Sequence, residues 1–484
     1  MREMTRIELE KQHKIYSAYL AEWLFYLRAY FGGKFYSDGN YLVRHPFESD
    51  ANYTRRKSIA YYYNYCAPVV DIMVAYLYQR TPKRSYGAWS PTPVPPRRPN
   101  TLFDSFWWDV DFEGSSLDQF MMKAQRFSSV YGRVNIIVDR PHLSAYSQSD
   151  ALAKDIRPYF TLITPEKMID WAYDKYESGK PFLAMIKILE IEERDNIGNI
   201  IYRRFKIWTP EKWETWDVKG AEISLVKAGV NPLGKIPIVT LYNKQAGVRQ
   251  LGLSDIKDIA HINKNIYYVC SDAKEIIENT AFPMLSLPYD AGAGETQEVS
   301  AKNILQFDPD KPGSKPEWLE PPHSSLAELR EWVQQDAQEI ARIALMGGLR
   351  NVETSTQPWS GLSIKTLAQQ LYAVLCEKAD NAEQAELDLL RLYGDWESSP
   401  FEGDVVYNRD FAVEDMTDLQ SAIQALNAGV SSKLFEKERQ KKAVDAVLPV
   451  LDEALRDQIH GEIDATGMEQ NTSGNNMEQD MAAQ

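Results

Sequence analysis

Three long amphipathic segments between residues 251 and 394 constrain the fold of this 484-residue chain more than any other feature. Their apolar residues recur at spacings of three and four, which predicts helices over residues 254–279, 325–346 and 362–393. At 1.5 Å per residue, such helices are roughly 35 to 50 Å long. We therefore expect helices that project from the body of the molecule or pack against other copies of it.

The apolar residues of these helices form narrow stripes. In the first helix, the alternating spacing is typical of a coiled-coil seam and not of a broad buried face. The residues predicted to make these packing contacts are Ile259, Ile262, Ile266 and Val269 in the first helix and Leu329, Val333 and Ile340 in the second. A stripe of this kind suits a neighbouring subunit and an intramolecular bundle equally well.

Two segments of different character separate the three helices. Residues 282–323 hold two short strand candidates among many turn residues, and residues 348–361 form a loop punctuated by glycine and proline. Connections between packed helices typically have about two to eight residues, so the longer loop indicates a function of its own. The third helix is predicted to end at Gly394.

The chain before the first long helix combines helices with strands, and the predicted fold class is therefore α+β. Aromatic-rich helices are predicted over residues 5–31 and 53–78, and a half-buried strand or extended segment over residues 106–114. Ser116 opens a further helix with a capping box, and a strand follows that helix. From residue 159 to 242 the apolar period shifts towards two, which predicts an antiparallel meander.

The chain after the third long helix is predicted to hold small elements only. Residues 401–407 form a strand candidate, and two or three short helices are predicted between residues 416 and 463. From residue 465 onwards the sequence is rich in Asn, Gln, Ser and Gly and has almost no large apolar side chains. We expect this tail to be disordered.

The formal net charge of −15 disfavours tight binding of DNA or RNA, but it is compatible with a surface that nucleic acid must pass without sticking. Cys66, Cys270 and Cys376 fit no disulfide framework and no metal spacing, which indicates assembly in a reducing cytosol. Charged residues follow Met1 without an apolar stretch, and no uncharged apolar run reaches about 18 residues, so we expect no signal peptide and no membrane span.

Motifs of catalysis and of nucleotide binding are missing from the sequence. It contains no Walker-type loop, no dinucleotide-binding fingerprint and no nucleophile elbow. Asp109, Asp111 and Glu113 would share one face of a strand and could chelate a hard cation, but a plain polar strand face gives the same pattern. We expect no metal site, no cofactor and no enzymatic activity. The alternative is an aromatic-rich carbohydrate-active enzyme that uses paired carboxylates, because such pairs form only in three dimensions.

The order of these elements resembles the portal, or head–tail connector, proteins of tailed bacteriophages. The stretches that carry the resemblance are residues 55–80, residues 112–141, Gly234-Lys235-Ile236-Pro237-Ile238 and Ala428-Gly429-Val430-Ser431-Ser432. The helix–insertion–helix–loop–helix order of residues 252–394 adds to them. The resemblance covers the chain up to about residue 460.

The resemblance implies a ring, usually of twelve subunits, at one vertex of the capsid, through which double-stranded DNA is packaged and ejected. The implied parts are a wing (1–250 and 395–415), two stem helices (251–281 and 324–347), a clip (282–323), a tunnel loop (348–361), a long wing or channel helix (362–394), a crown (416–465) and a disordered tail (466–484). The implied locations are the portal vertex of the virion and, during assembly, the host cytoplasm.

The resemblance also implies a set of partners. These are further copies of the chain, double-stranded DNA bound without sequence specificity, the terminase large subunit, head–tail adaptor or neck proteins, and the major capsid and scaffolding proteins, with no membrane. The clip would dock terminase first and an adaptor afterwards. The candidate docking residues in the clip are Tyr289, Lys302, Lys311, Lys315 and Trp318.

The tunnel loop is the implied contact with translocating DNA. Arg350 and Lys365 are the best candidates for contacts with phosphates, and Asn351, Gln357 and Trp359 are weaker ones. These contacts would be non-specific, because they reach phosphates and not base edges. The alternative role for Arg350 is a salt bridge to a neighbouring subunit, for example to Glu353.

Overall fold

The computed structural model describes residues 4–89, 91, 95, 99–141, 147–195, 198–280, 284–288, 304–307, 317–319, 324–344, 361–411, 434, 437–438, 440–441, 444, 455–456 and 458–465. These residues form a mixture of helices and sheets, which confirms the predicted α+β class. The chain divides into two compact units, Met1–Phe411 and Ala412–Gln484. The division into wing, stem, clip and crown stays a prediction, and the predicted tail lies outside the described residues.

The first predicted helix is in fact two helices, α1 (Arg6–Glu10) and α2 (Lys14–Phe31), followed by the short α3 (Gly33–Ser37). The prediction of one helix over residues 5–31 is wrong because His13 has tertiary partners. Its ring stacks on Trp171 with centroids 4.0 Å apart, and its N–H donates to the Ile169 carbonyl oxygen at 2.9 Å. Its Nδ1 also caps α2 by accepting from the Ile15 N–H.

The second aromatic segment is likewise interrupted. Helices α4 (Asp50–Ile59) and α5 (Cys66–Leu77) are joined by an extended connector, so the prediction of one helix over residues 53–78 is wrong. Tyr62 in the connector is buried and stacks on Tyr36 at 3.8 Å. The aromatic run therefore packs across the gap between two helices and does not form one helical face.

The prediction of a strand over residues 106–114 is wrong, because residues 106–108 belong to a helix and residues 110–114 form bends after it. After the short strand β1 (Lys83–Ser85), helix α6 (Leu102–Trp108) begins at a Thr101–Asp104 capping box. Phe103 and Phe106 are buried, and their spacing of three is helical and not alternating. The capping box upstream of the aromatic run was the signal that outweighed the apparent period of two.

A three-stranded sheet forms the centre of the first unit. Helix α7 (Leu117–Tyr131) begins at the predicted Ser116 capping box and ends at Gly132, and strand β2 (Arg133–Asp139) follows directly. After the short helix α8 (Gln148–Ala153) comes β3 (Tyr159–Ile163). Every residue of β2 is buried, because the strand lies between β3 and a later strand, Ile238–Tyr242.

The predicted meander exists in part, as a five-stranded antiparallel sheet in which the strands pair in chain order. Its predicted first strand, residues 160–163, is wrong as a member of the meander, because it lies in β3 and pairs with β2 in the other sheet. The five strands of the meander are β4 (Met168–Lys175), β5 (Pro181–Arg194), β6 (Ile200–Trp208), β7 (Lys212–Lys219) and β8 (Glu222–Val230). The edge strands β4 and β8 escaped the sequence pattern. The strand Ile238–Tyr242 is β9 and pairs with β2, outside this sheet.

The three long helices exist with slightly different ends. They are α9 (Lys257–Thr280), α10 (Ser324–Ile343) and α11 (Gly361–Glu397). Between α9 and α10, strands β10 (Met284–Pro288), β11 (Ile304–Phe307) and β12 (Glu317–Leu319) form a sheet in the order β11-β10-β12. Strand β13 (Asp404–Val406) lies within the predicted 401–407 segment and pairs with β1. Among the described residues, no helix has both the length and the apolar character needed to cross a bilayer.

Gly394 does not end the third helix, which continues to Glu397. A Cβ at this position would lie 3.0 Å from the Trp89 ring and 2.5 Å from the Ser399 carbonyl oxygen. The glycine therefore permits close packing of the returning chain, and the reversal itself comes at Ser398, whose φ is +54°.

Candidate functional site: the helical hairpin and its base

The chain segment directly before α9, which we call the base of α9, packs on the C-terminal end of α7. Ser254 Oγ and the Asp255 N–H donate to the Ser129 carbonyl oxygen at 3.2 and 3.0 Å, which satisfies a carbonyl that has no partner within its own helix. Gly132 and Gly252 meet beside these bonds, and a Cβ on either one would overlap the carbonyl oxygen of the other. This close approach of the two backbones therefore requires glycine at both positions.

A buried ion pair connects α11 to the same base. Lys378 Nζ lies 2.7 Å from Asp255 Oδ2 and also donates to Asn243 Oδ1 and to Ser129 Oγ. Asn243 Nδ2 donates to the other carboxylate oxygen of Asp255 at 2.7 Å, so both oxygens are bound. Sequence reasoning missed this network. Its only visible signal was a lysine beside Ala379, on the apolar stripe of the third helix.

Helix α9 buries a broad face and not a narrow seam. The buried residues on this face are Ile256, Ile259, Ala260, Asn263, Ile266, Tyr267 and Ser271. Asn263 Oδ1 accepts from the Tyr65 N–H at 3.1 Å, which ties the face to the N-terminal part of the chain. Ile262 and Val269 of the predicted stripe are only half-buried. The narrow seam was thus the wrong prediction, because α9 packs on the body on one side and on α10 on another.

Helix α10 packs on α9 along one side. Ile340 is buried there, Leu329 and Val333 are half-buried, and Asn265 Nδ2 of α9 donates to Asp336 Oδ2 at 2.7 Å. Together α9 and α10 form a helical hairpin. Large apolar side chains on this hairpin nevertheless face solvent. Trp332 of α10 is 57% exposed and Ile277 of α9 is 53% exposed. Whether the predicted stripe residues contact other subunits stays a prediction.

A second buried ion pair joins the N-terminal part of the chain to α9. Arg56 binds both carboxylate oxygens of Glu48, at 2.8 and 2.7 Å, and its Nη1 donates to Ser271 Oγ and Asp272 Oδ1 of α9. The bond from Arg56 is the main cause that lowers the pKa of Glu48 to about 2. The sequence alone did not reveal this ion pair, and residue 56 was noted only as part of the stretch of residues 55–80 that carries the resemblance.

The residues predicted to face DNA or to dock a motor are mostly not placed by the structure. Those outside the described residues are Arg350, Asn351, Gln357 and Trp359 of the loop and Tyr289, Lys302, Lys311 and Lys315 of the clip. Lys365 lies in the second turn of α11, and Trp318 lies in β12 opposite Leu285 of β10. Their proposed roles stay predictions.

The acidic residues of the predicted metal-like cluster do not share a strand face. They follow α6 in a turn, where Asp109 Oδ1 accepts from the Gly114 N–H and Asp111 Oδ1 accepts from the Glu113 N–H. These carboxylates stabilise the turn. Within the described part of the chain, no group of three or more His, Cys, Asp or Glu side chains is arranged to hold a metal ion.

One of the cavities that bear on the carbohydrate-enzyme alternative is lined in part by two carboxylates and a lysine. It has a volume of about 270 Å³, and Asp139, Glu190 and Lys206 are among its lining residues. Lys206 Nζ lies 2.7 Å from Asp139 Oδ2, so one of the two carboxylates is already engaged in an ion pair. A paired-carboxylate mechanism needs both groups to face the substrate, and this arrangement does not favour it.

Comparison with known proteins gives structural matches only. No protein-family model and no curated protein matches the chain. A chain from the virion of a native gene transfer agent particle is similar over 77% of this chain and 88% of its own length, with 9% identity and a TM-score of 0.39. A chain from the neck of an empty gene transfer agent particle is similar over 81% of this chain and 88% of its own, with 10% identity and a TM-score of 0.38. At these TM-scores we draw no functional conclusion from the likeness.

Proposed function

We propose that the chain is a phage portal subunit and that it forms a ring, expected to contain twelve copies, at one vertex of a capsid. The observation that carries the proposal is the α9–α10 hairpin. Its helices of 24 and 20 residues stand on a base fixed by hydrogen bonds, glycines and a buried ion pair. Such a rigid base suits an element that must hold its shape in a ring.

The exposed side chains of the hairpin support assembly. Trp332 is three residues after Leu329 and four before Asp336, so helical spacing puts it at the edge of the α10 face that packs on α9, and it is more than half exposed. Tryptophan is among the residues most enriched at the centres of subunit interfaces. A neighbour that covers this edge would use a different face of its own hairpin, and contacts between unlike faces close into rings when the rotation allows.

The charge of the chain supports a conduit for DNA. Twelve copies at −15 each carry a formal charge of −180. Lysine and arginine contacts with phosphate supply essentially all of non-specific affinity for DNA, so a channel that moves DNA benefits from few of them. Under the proposal, Arg350 and Lys365 are the cationic exceptions, which contact the duplex without retaining it.

The proposed role is structural and not enzymatic. The energy for packaging would come from the separate terminase motor, which would dock on the clip around β10, β11 and β12. Adaptor or neck proteins would replace terminase there once the head is full, and the capsid and scaffolding proteins would surround the ring at its vertex. The finished ring would belong to the virion.

The mass of the purified protein in solution tests the proposal. The chain has a mass of 55.5 kDa, so a twelve-subunit ring should appear at roughly 670 kDa in mass photometry. A 55 kDa monomer that hydrolyses glycosidic bonds would contradict the portal and support the carbohydrate-enzyme alternative. A glycosidase assay on the same sample, with a panel of polysaccharides, separates the two outcomes.

A further inference from the structure

A lysine and an asparagine lie in direct contact beside the base of α9. Lys378 Nζ of α11 donates to the side-chain oxygen of Asn243, the residue directly after β9, and both side chains are buried. The amide carbon Cγ of Asn243 is one bond beyond that oxygen. A primary amine next to a carboxamide can displace the amide nitrogen and form a new amide, provided that the two groups are held together and activated.

Hydrogen bonds hold the asparagine amide in one orientation. Its Nδ2 donates to the Leu253 carbonyl oxygen at 3.0 Å and to Asp255 Oδ1 at 2.7 Å, so both of its hydrogens are used. The backbone of Asn243 is fixed as well, because its N–H donates to the Gly132 carbonyl oxygen at 2.9 Å. The oxygen of the amide group therefore faces the lysine, and the nitrogen that would leave faces the carboxylate.

Asp255 is placed to move the protons that this reaction requires. Its Oδ2 lies 2.7 Å from Lys378 Nζ, while its Oδ1 accepts from Asn243 Nδ2. One carboxylate thus touches both the nitrogen that must lose protons and the nitrogen that must gain one. A buried ion pair of this kind can exchange a proton to give the neutral amine and carboxylic acid, because burial penalises charge.

A hydroxyl group supports the oxygen on which negative charge would develop. Ser129 Oγ donates to Asn243 Oδ1 at 3.3 Å, and Ser129 is fully buried. A donor fixed beside a developing oxyanion stabilises the tetrahedral intermediate of acyl transfer. The site therefore combines a nucleophile, an electrophile, a proton-transfer group and an oxyanion donor.

We propose that Lys378 and Asn243 form an amide crosslink within the chain, with loss of ammonia. Asp255 takes a proton from Lys378, and the Nζ lone pair attacks Cγ of Asn243, so that the carbonyl π electrons move onto Oδ1. The carboxyl group then protonates Nδ2 and takes a second proton from Nζ, and the Cγ–Nδ2 bond breaks to release ammonia. Ammonia leaves as ammonium with the proton held by Asp255. Atoms and charge balance without an oxidant or a co-reactant.

The crosslink closes a covalent loop around the hairpin. The two bonded residues are 135 positions apart, and the chain between them holds α9, α10 and the first part of α11. A covalent tie of this span stabilises the folded chain chiefly by restricting the unfolded one, as disulfides do. The crosslink goes beyond the proposed function and needs no ring and no DNA, so its failure is distinct from a failure of the portal proposal.

Mass spectrometry of the purified, folded chain tests the crosslink. The intact mass should lie about 17 Da below the mass calculated from the sequence, because one ammonia is lost. Trypsin does not cleave after a lysine whose amine is acylated, so the digest should contain one branched peptide that joins residues 236–244 to residues 366–391. A succinimide at Asn243 would cause the same loss of mass without a branched peptide, and that result overturns the proposal. So does a folded chain with its full mass.

Two variants and a control separate the chemistry from packing. Lys378→Arg keeps the charge but removes the nucleophile and should have its full calculated mass. Asp255→Asn keeps both reacting residues and should yield at least about tenfold less branched peptide, because the proton-transfer group is lost. Lys257→Arg makes the same change at an exposed lysine close to Asp255 and should crosslink fully. Equal crosslinking in Asp255→Asn would contradict the mechanism. If a variant does not fold, the peptides of the unmodified chain still decide whether the crosslink exists.

Discussion

At the scale of single residues, α9 is joined to the rest of the first unit by buried charges and paired glycines. Arg56 with Glu48 and Lys378 with Asp255 approach the helix from different directions, and Gly132 with Gly252 allows its base to sit directly on α7. Hydrophobic periodicity does not reveal such contacts, because it reports apolar faces and not polar partners, and two of the three pairs join residues distant in sequence. The contribution of each contact to the free energy of unfolding can nevertheless be tested with single substitutions.

Acid should weaken the contact between Arg56 and Glu48. The pKa of Glu48 is lowered to about 2, below its ordinary value of 4.5, so the contact contributes its full stability above pH 4.5. That contribution is lost as pH falls from 4.5 towards 2, because the unfolded state takes up the proton first. Urea unfolding at pH 7 and pH 3 measures the effect.

The Glu48→Gln variant provides the comparison for this pH dependence. It should cost about 3 kcal/mol at pH 7, since it leaves a buried guanidinium without its main charged partner. The difference between the variant and the unmodified chain should shrink at pH 3. A difference that is the same at both pH values would show that Glu48 does not act through its charge.

The close approach of Gly132 and Gly252 at the base of α9 leads to a second prediction. Gly132→Ala places a methyl group against the Gly252 carbonyl oxygen at a residue with φ of +91°, so it should cost at least about 3 kcal/mol of stability. Gly114→Ala is the matched control, with φ of +87° and no atom within 4 Å of the added Cβ. It should cost about 1 kcal/mol from backbone strain alone. Equal losses in thermal or urea unfolding would exclude steric overlap as the cause.

At the scale of elements, periodicity predicted those parts of the fold whose own side chains decide their structure. The three long helices, the Ser116 capping box and the core of the meander were predicted in this way. The predictions failed where contacts with residues distant in sequence determine the local structure. His13 breaks a helix because Trp171 and Ile169 hold it, and Gly394 stays helical because Trp89 and Ser399 pack against it.

The hairpin makes a prediction about assembly. Trp332→Ala should weaken each subunit contact by about 2 kcal/mol, as expected for an interface tryptophan, and should shift rings towards monomers in mass photometry. The stability of the monomer should hardly change, because the side chain is already 57% exposed. Gln334→Ala, an exposed neighbour on α10, is the control and should leave rings intact. Rings that survive Trp332→Ala at nanomolar concentration would place the interface elsewhere.

The loop after α10 makes a prediction about DNA. Arg350→Ala should lower the amount of DNA packaged several-fold and leave ring assembly unchanged, since one phosphate contact per subunit is lost. Glu353→Ala is the informative companion, because the alternative role of Arg350 is a salt bridge to that residue in a neighbour. If both variants prevent ring formation, Arg350 belongs to the subunit interface and not to the DNA contact.

At the scale of the whole molecule, the function could be proposed from the order of elements and from charge, but not from any motif. Under the proposed function the chain performs no bond chemistry on a substrate, so no catalytic motif is expected in its sequence. Except for Lys365 at the start of α11, the residues expected to touch DNA or terminase lie in the two segments between the long helices, and their spacing alone does not fix their geometry. The polar contacts at the base of the hairpin join α7, β9, α9 and α11. They can therefore be recognised only in the three-dimensional structure.

Negative-stain images of the purified chain test the central claim most directly. End-on class averages should show a closed ring with about twelve-fold symmetry and a central hole wide enough for a DNA duplex, and side views should show a narrow stem below a wider body. Compact single particles without a hole, at concentrations where the protein is fully folded, would contradict the account.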